Sequence, residues 1–501
     1  MRPERVEGPS TRSGGTAFWP ELAAAFRAID YRFEAVVGLI GAEAHAALGR
    51  NSTVPATRAL AGREDPLATL TRLWLLQQPV PRTPLEQALP GMVEPLLAAG
   101  ILTADADEVR ALVDLRPYAT DDGDYWVAAD LTPNLDTLVR PIRPDHVLGV
   151  SAASGSLAQL TLRRPVRRAL DLGTGCGVQS LHLAGHADEV VATDLNPRAI
   201  ELARITFALN QTAVDLRLGD LYQPVAGERF DLIAANPPYV MSPPSDARLT
   251  YREGSAPGDA LVERVVVEGA AHLAEGGVLQ VLGSWAHVGG QDWTDRVSGW
   301  LAVTGCDAHV VQREVLDPYA YIEVWLADAG LTGSPAYAER YAAWCDYFDR
   351  LGIEAVGLGW LTLRRTGRTP SVRIEDWPHP VEQPIAPALD AGLAALDRLT
   401  GLDDEQILAG RWRLADDVVQ ETTGPPGVAD PEHVVFRQQR GFRRAVALDT
   451  ATAGILGACD GELTLGRIVS SVAGLLGADQ AALTRETVVR VRMLVVEGWV
   501  A

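Results

Sequence analysis

The chain contains no lysine; all 44 of its basic side chains are arginine. Without lysine there is no Walker-A lysine, no Schiff-base lysine and no lysine general base. That excludes P-loop NTPases, kinases and pyridoxal-phosphate enzymes. Cysteine is scarce as well. Cys176, Cys306, Cys345 and Cys459 lie far apart, with no C-x-x-C pair for zinc or redox chemistry. No apolar run approaches the ~20 residues of a membrane helix. Met1–Arg5 leads into polar residues and not into the apolar core of a signal peptide. The expectation is a cytoplasmic monomer with neither a metal nor a membrane segment.

What is present is ordinary for a globular protein: 47% hydrophobic and 22% charged residues. At ~150 residues per domain, 501 residues make about three domains. Acidic residues number 65, for a formal net charge of −21. A field of that sign opposes non-specific binding to polyphosphate, although local patches can override it. Arg163, Arg164, Arg167 and Arg168 form one such patch. Arg437, Arg440, Arg443 and Arg444, with Phe436 and Phe442 among them, form another. Arginines interleaved with aromatics suit nucleic-acid backbones and splayed bases, and they equally suit a solvated helix face.

Three periodicities divide the chain. From residue 17 to about 115 apolar residues recur at helical steps, as in Leu22, Phe26, Ile29, Phe33, Val36 and Val37. Further helical runs cover Pro66–Gln77 and Leu85–Leu97. Short alternating stretches near Val109–Leu115 and Tyr125–Val127 follow, as in a winged-helix-like module. From about Arg164 strands alternate with helices, the pattern of a doubly wound parallel sheet. The expected strands are Val166–Leu172, Glu189–Thr193, Val214–Leu218, Phe230–Ala235, Val278–Leu282, Ala308–Glu314 and Tyr321–Leu326, the last antiparallel. Beyond 330 the pattern resets: a helix over Ala336–Leu351, a loop over Pro370–Pro387, a linker at Gly424-Pro425-Pro426-Gly427, and a closing helical or winged unit at Val488–Val500. The reading is therefore an α/β protein in three parts. Residues 1–140 form a helical, winged-helix-like domain, 141–330 a seven-stranded Rossmann-like sheet, and 331–501 a smaller α+β domain.

The chemistry concentrates at the strand ends. Asp171-Leu172-Gly173-Thr174-Gly175-Cys176-Gly177 follows the first strand and opens a helix. Glycine lets the backbone approach a ligand, and a helix N-terminus offers free N–H groups. The second strand ends in Asp194, where an acid can hold two ribose hydroxyls. The third ends in Gly219-Asp220-Leu221, a place for an acid near an adenine amino group. The fourth ends in Asn236-Pro237-Pro238-Tyr239. A planar amino nitrogen is a poor nucleophile because its lone pair is delocalised. The Asn236 side-chain oxygen and the Pro237 carbonyl can accept its two N–H bonds and aim the lone pair. The prolines stiffen the loop, and Tyr239 offers a face for stacking. His182 and His186 have helical metal spacing but no third ligand, so a surface or capping role is expected. Cys176 reads as a small residue facing the ligand. Tyr251-Arg252-Glu253-Gly254 reads as a substrate lid or a solvated loop.

These motifs resemble the class I S-adenosylmethionine-dependent methyltransferases over about residues 145–328. The resemblance implies a cofactor site of Asp171, Gly173, Thr174, Gly175, Gly177, Asp194, Asp220, Leu221 and Asn236. It implies catalysis by Asn236, Pro237 and Tyr239. An Asp-x-Gly lead favours S-adenosylmethionine over a nicotinamide. The Asn-Pro-Pro-Tyr motif is similar to that of the methyltransferase small domain group, which acts on exocyclic base amines or a glutamine amide. Val240-Met241-Ser242-Pro243-Pro244 resembles eukaryotic-type release-factor glutamine methyltransferases. Upstream, Asp145-His146-Val147-Leu148-Gly149-Val150-Ser151 stands nearer to ribosomal RNA guanine methyltransferases. The expectation is a macromolecular substrate, a nucleobase amine in RNA or DNA ahead of a protein glutamine, with a small molecule as a further alternative.

Overall fold

The computed structural model describes residues 18–137, 142–244, 249–253, 256–426 and 433–501. Met1–Arg5, Gly254 and Gly427, named above, lie outside them. The described chain divides into two compact units, one of residues up to 158 with 164–378, the other of 159–163 with 379–501.

An eight-stranded sheet organises the first unit. Its strands are β1 (Val166–Leu172), β2 (Ala187–Asp194), β3 (Asp215–Leu218), β4 (Phe230–Ala235), β5 (Leu273–Val288), β6 (Asp307–Leu316), β7 (Ile353–Arg364) and β8 (Val372–Asp376). Their spatial order is β8-β6-β7-β5-β4-β1-β2-β3. All neighbours are parallel except β7, which runs antiparallel between β5 and β6. This is the Rossmann-like sheet expected from the sequence, with β8 added at one edge. Strand order reverses beside β1, so ligands are expected at the carboxyl ends there. The register brings those ends level: Leu172 pairs with both Thr193 and Ala235, and Asp194 pairs with Leu218.

The seventh strand is not where periodicity placed it. Tyr321–Leu326 lies inside helix α1 (Pro318–Asp328). Asp317 caps that helix, accepting from the N–H groups of Tyr319 and Ala320, and Pro318 occupies its first turn. Acid and proline together are a helix-start signal that outweighs a short alternating pattern. A second helix, α2 (Tyr337–Leu351), packs on α1 through Tyr321, Trp344 and Phe348, and only then does β7 enter the sheet. The sheet thus continues past residue 330, and the loop expected over Pro370–Pro387 contains β8.

The N-terminal segment is helical as expected, but two of the expected runs are each two helices: Trp19–Ile29 and Phe33–Ile40 for the first, Arg82–Ala88 and Val93–Ala98 for the run expected over Leu85–Leu97. Asp30 breaks the first run in the left-handed conformation, φ 63°, and buried Tyr31 follows. Two sets of strands come after, including the hairpin Val113–Thr120 with Gly123–Asp130. The boundary at 140 does not separate two cores. Phe26, Trp74 and Trp126 share one hydrophobic cluster with Cys176, Leu202 and Phe207 of the sheet's helical layer. The Asn210 side chain closes this join, its Oδ1 accepting from the Trp126 N–H at 3.0 Å and its Nδ2 donating to the Trp126 carbonyl at 2.7 Å.

The second unit contains a three-stranded antiparallel sheet, Val418–Thr423, His433–Gln438 and Ala445–Leu448. Helices including Leu465–Leu476 and Gln480–Val496 cover a core that holds Phe436, Leu465, Val491 and Trp499. No described helix is long and apolar enough to cross a membrane.

Candidate active site

A cavity of about 190 Å³ opens at the carboxyl ends of β1 to β4. Of the residues expected to bind cofactor, Gly173, Thr174, Gly175, Asp194, Asp220, Leu221 and Asn236 line it. The glycine turn is built for close approach. Gly173 and Gly175 have φ of 77° and 56°, and a Cβ on either would meet only open space. The N–H groups of Gly173 and Thr174 both donate to the Thr193 carbonyl at 2.9 Å, tying this turn to the end of β2.

Asp171 plays a different part from the one expected. It is not a lining residue; its Oδ2 accepts from Thr174 Oγ1 at 2.6 Å, Ser180 N at 2.9 Å and Ser180 Oγ at 2.7 Å. It braces the turn from inside. Burial pushes its carboxyl up to about 6. Gly177 is likewise a packing position: φ is 86°, and a Cβ there would lie 2.8 Å from Phe207 Cε1.

Asp194 Oδ1 accepts from the Asn196 N–H at 2.8 Å, and burial raises its carboxyl above the usual range. Asp220 pairs with Arg264 at 2.9 Å. Leu221 takes a φ of 44°, and its carbonyl accepts from Thr193 Oγ1 at 3.3 Å. Cys176 lines the cavity as a thiol pushed up to about 12 by burial, so it has no nucleophilic character at neutral pH.

At the end of β4, Asn236 lines the cavity and Pro237 is buried. The Asn236 Oδ1 is buried and has no hydrogen-bond partner among the described residues. Tyr239 does not line the cavity. Its ring is half-buried with its centroid 6.4 Å from that of Trp325, and its carbonyl accepts from Ser284 Oγ at 2.7 Å. The residue fixes the direction of the motif's backbone and does not offer the open stacking face expected of it.

Several lining residues were not singled out from sequence as ligands. Tyr251 and Glu253 come from the loop after the motif, which is no solvated loop: Arg252 and Glu253 are buried. Arg252 bonds Glu253 at 3.1 Å, Asp328 at 2.5 Å and the Trp325 carbonyl at 3.0 Å. The Val240 N–H donates to the Arg252 carbonyl at 2.8 Å, and the Met241 N–H to Tyr321 Oη at 3.0 Å. Helix α1 therefore holds the segment that continues from Asn-Pro-Pro-Tyr. His146 lines the cavity from the segment ahead of β1.

The other sequence candidates are not among the residues that line the cavity. His182 bonds Tyr118 Oη at 2.7 Å, its helix ends at Ala184, and no metal-ligating group of three occurs among the described residues. Arg168 is paired with Glu189 and Glu228, and Arg437 with Glu421. Both arginine patches are thus partly neutralised by neighbouring acids.

Residues 149–289 match the Methyltransferase small domain family, and residues 28–112 match a domain of unknown function (DUF7059). Among curated proteins the chain is similar to the release factor glutamine methyltransferase of Xylella fastidiosa, 37% identical over 132 residues, 24% of this chain and 47% of that protein. It is similar to the ribosomal protein uL3 glutamine methyltransferase of Xanthomonas campestris, 36% identical over 199 residues, 36% of this chain and 63% of that protein. The release factor glutamine methyltransferase of Deinococcus radiodurans is 37% identical over 136 residues, 25% of this chain and 48% of that protein. The chain spans about half to under two thirds of the length of these relatives.

Proposed function

We propose that the chain is an S-adenosylmethionine-dependent N-methyltransferase acting on the side-chain amide of a protein glutamine. The observation that carries this reading is the Asn236 Oδ1, buried without a partner beside a cavity with a glycine turn and two strand-end acids. A buried acceptor left unpaired costs about 1–3 kcal/mol, and an N–H from the acceptor group removes that cost. The glutamine methyltransferase relatives support the amide over the nucleobase amine that sequence placed first. The net charge of −21 supports it too, since an acidic surface attracts basic proteins and repels polyphosphate.

The residues fit the cofactor. The open-sided glycines of the turn would pass the methionine end, Asp194 the ribose and Asp220 the adenine. When bound, S-adenosylmethionine supplies an electrophilic methyl group on a sulfonium. Asn236 Oδ1 and the Pro237 carbonyl accept the two N–H bonds of the amide nitrogen and turn its lone pair toward that methyl. The two prolines and the Ser284 bond to Tyr239 hold these acceptors still, so the residues contribute through orientation.

The test uses methyl-tritiated S-adenosylmethionine with the purified chain and a lysate from a strain lacking the gene. Label released by protease and not by nuclease, and recovered as methylamine after acid hydrolysis, is the expected result. Label released only by nuclease restores the base-amine reading and removes this one.

A further inference from the structure

His146 sits among the residues that line the cavity and is buried, with 7% of its surface exposed. Its Nε2 has no hydrogen-bond partner among the described residues. The segment carrying it is fastened on three sides. The Val147 N–H donates to Asp130 Oδ2 at 2.9 Å, and Asp130 is itself gripped by Arg198 at 2.9 and 3.2 Å. The Thr250 N–H donates to the Pro144 carbonyl at 3.0 Å. The Asn196 side chain donates to the Asp145 carbonyl at 2.9 Å. Rigid strapping of a side chain with an unpaired buried nitrogen is costly for packing alone.

The same contacts say which end of the cofactor His146 meets. Asn196 ties Asp145 to the loop of Asp194, because its own N–H donates to Asp194 Oδ1. In the assignment proposed above, Gly173 and Gly175 take the methionine end and Asp220 and Leu221 the adenine end, and the tie through Asn196 links the segment of His146 to Asp194, between them. Its Nδ1 lies 3.9 Å from Asp130 Oδ2, which favours a proton on Nδ1 and leaves Nε2 as an acceptor. Burial keeps the ring neutral against the pull of Asp130, Asp145 and Asp328, with Arg143 assisting burial. Each oxygen of Asp194 accepts one backbone N–H and keeps a lone pair for a ribose hydroxyl, and a ring nitrogen acceptor nearby can share that diol.

We propose that His146 Nε2 accepts a hydrogen bond from a ribose hydroxyl of the bound cofactor, making His146 a ribose-binding residue alongside Asp194. This rests on the S-adenosylmethionine reading above. The residue also packs against Tyr251, ring centroids 5.8 Å apart, so any test must separate binding from packing.

The full chain is titrated calorimetrically with S-adenosylhomocysteine and with its 2′-deoxy and 3′-deoxy analogues, as wild type and as His146→Phe, which keeps a ring against Tyr251. His146→Phe is expected to bind S-adenosylhomocysteine about three- to tenfold more weakly. Wild type loses affinity on both analogues, and for one of them His146→Phe loses clearly less than wild type does. Equal affinity of variant and wild type overturns the proposal, as does a full additional loss on both analogues. A second measurement needs no variant: the ¹⁵N resonance of His146 Nε2 is expected to move upfield on adding S-adenosylhomocysteine, and an unmoved resonance in the saturated protein overturns the proposal. If wild type binds no S-adenosylhomocysteine at all, the cofactor reading fails first and takes this one with it.

Discussion

Asp194 Oδ2 accepts a hydrogen bond from the Gly175 N–H at 2.9 Å, so the acid at the end of β2 is held by the turn at the end of β1. One side chain thereby sets the spacing between two stretches of the candidate site. Asp194→Ala is expected to weaken S-adenosylhomocysteine binding by ~1–3 kcal/mol through loss of a charge-assisted bond. Asp194→Asn retains an acceptor and should lose less. Calorimetry giving unchanged affinity for both variants would refute the assignment.

Asn236→Ala is expected to remove most methyl transfer while leaving cofactor affinity within a few fold. Asn236 touches the acceptor nitrogen in this scheme, whereas the glycine turn and the two acids hold the cofactor. The check is turnover measured beside calorimetric affinity. A variant that turns over like wild type would end the two-acceptor mechanism.

Gly177→Ala tests packing and not chemistry. The new Cβ meets Phe207 Cε1 at 2.8 Å, and the residue must keep a φ of 86°. Strain of this kind costs ~1–3 kcal/mol, read as a lowered thermal midpoint. Gly177→Ala with Phe207→Leu relieves the contact but not the backbone, so the pair should recover only part of the loss.

Asp171 predicts a pH dependence of stability. Its carboxyl is raised from 3.8 to about 6 in the folded chain, chiefly by burial. The folded state therefore holds this proton more tightly than the unfolded state. The stabilisation is full below 3.8 and is lost as pH rises through about 6, by about 3 kcal/mol. Asp171→Asn has no proton to lose. The stability difference between wild type and variant should shift in favour of the variant between about pH 4 and about pH 6.5, measured by denaturant unfolding. A pH-independent difference would contradict the assignment.

The strand ends that carry Gly173, Asp194, Asp220 and Asn236 were legible because each follows a short strand-like run and bears a glycine, an acid or an amide where a doubly wound sheet meets its ligands. β7 was hidden by its own packing. A Cβ at Gly357 would collide with Gln312 and Trp285, and one at Gly359 with the Val311 carbonyl, so the strand carries glycines that weaken its sequence signature. Tyr321–Leu326 misled for the opposite reason, an alternating pattern inside a helix that Asp317 and Pro318 begin. Arg252 and Asp328 are 76 residues apart, and nothing in either neighbourhood announces their pairing. His146 was read only as part of an upstream segment, since a lone histidine carries no signal until its surroundings are known.

The excursion between β6 and β7 divides labour along the chain. The groups assigned to the cofactor come from the first four strand ends, while the wall beyond Asn-Pro-Pro-Tyr is held by Tyr321, Trp325 and Asp328 of α1. Changes in this one helical insert would therefore be felt at the cavity wall itself, through Asp328, which bonds both Tyr251 and Arg252 in the loop that supplies Tyr251 and Glu253 to the lining.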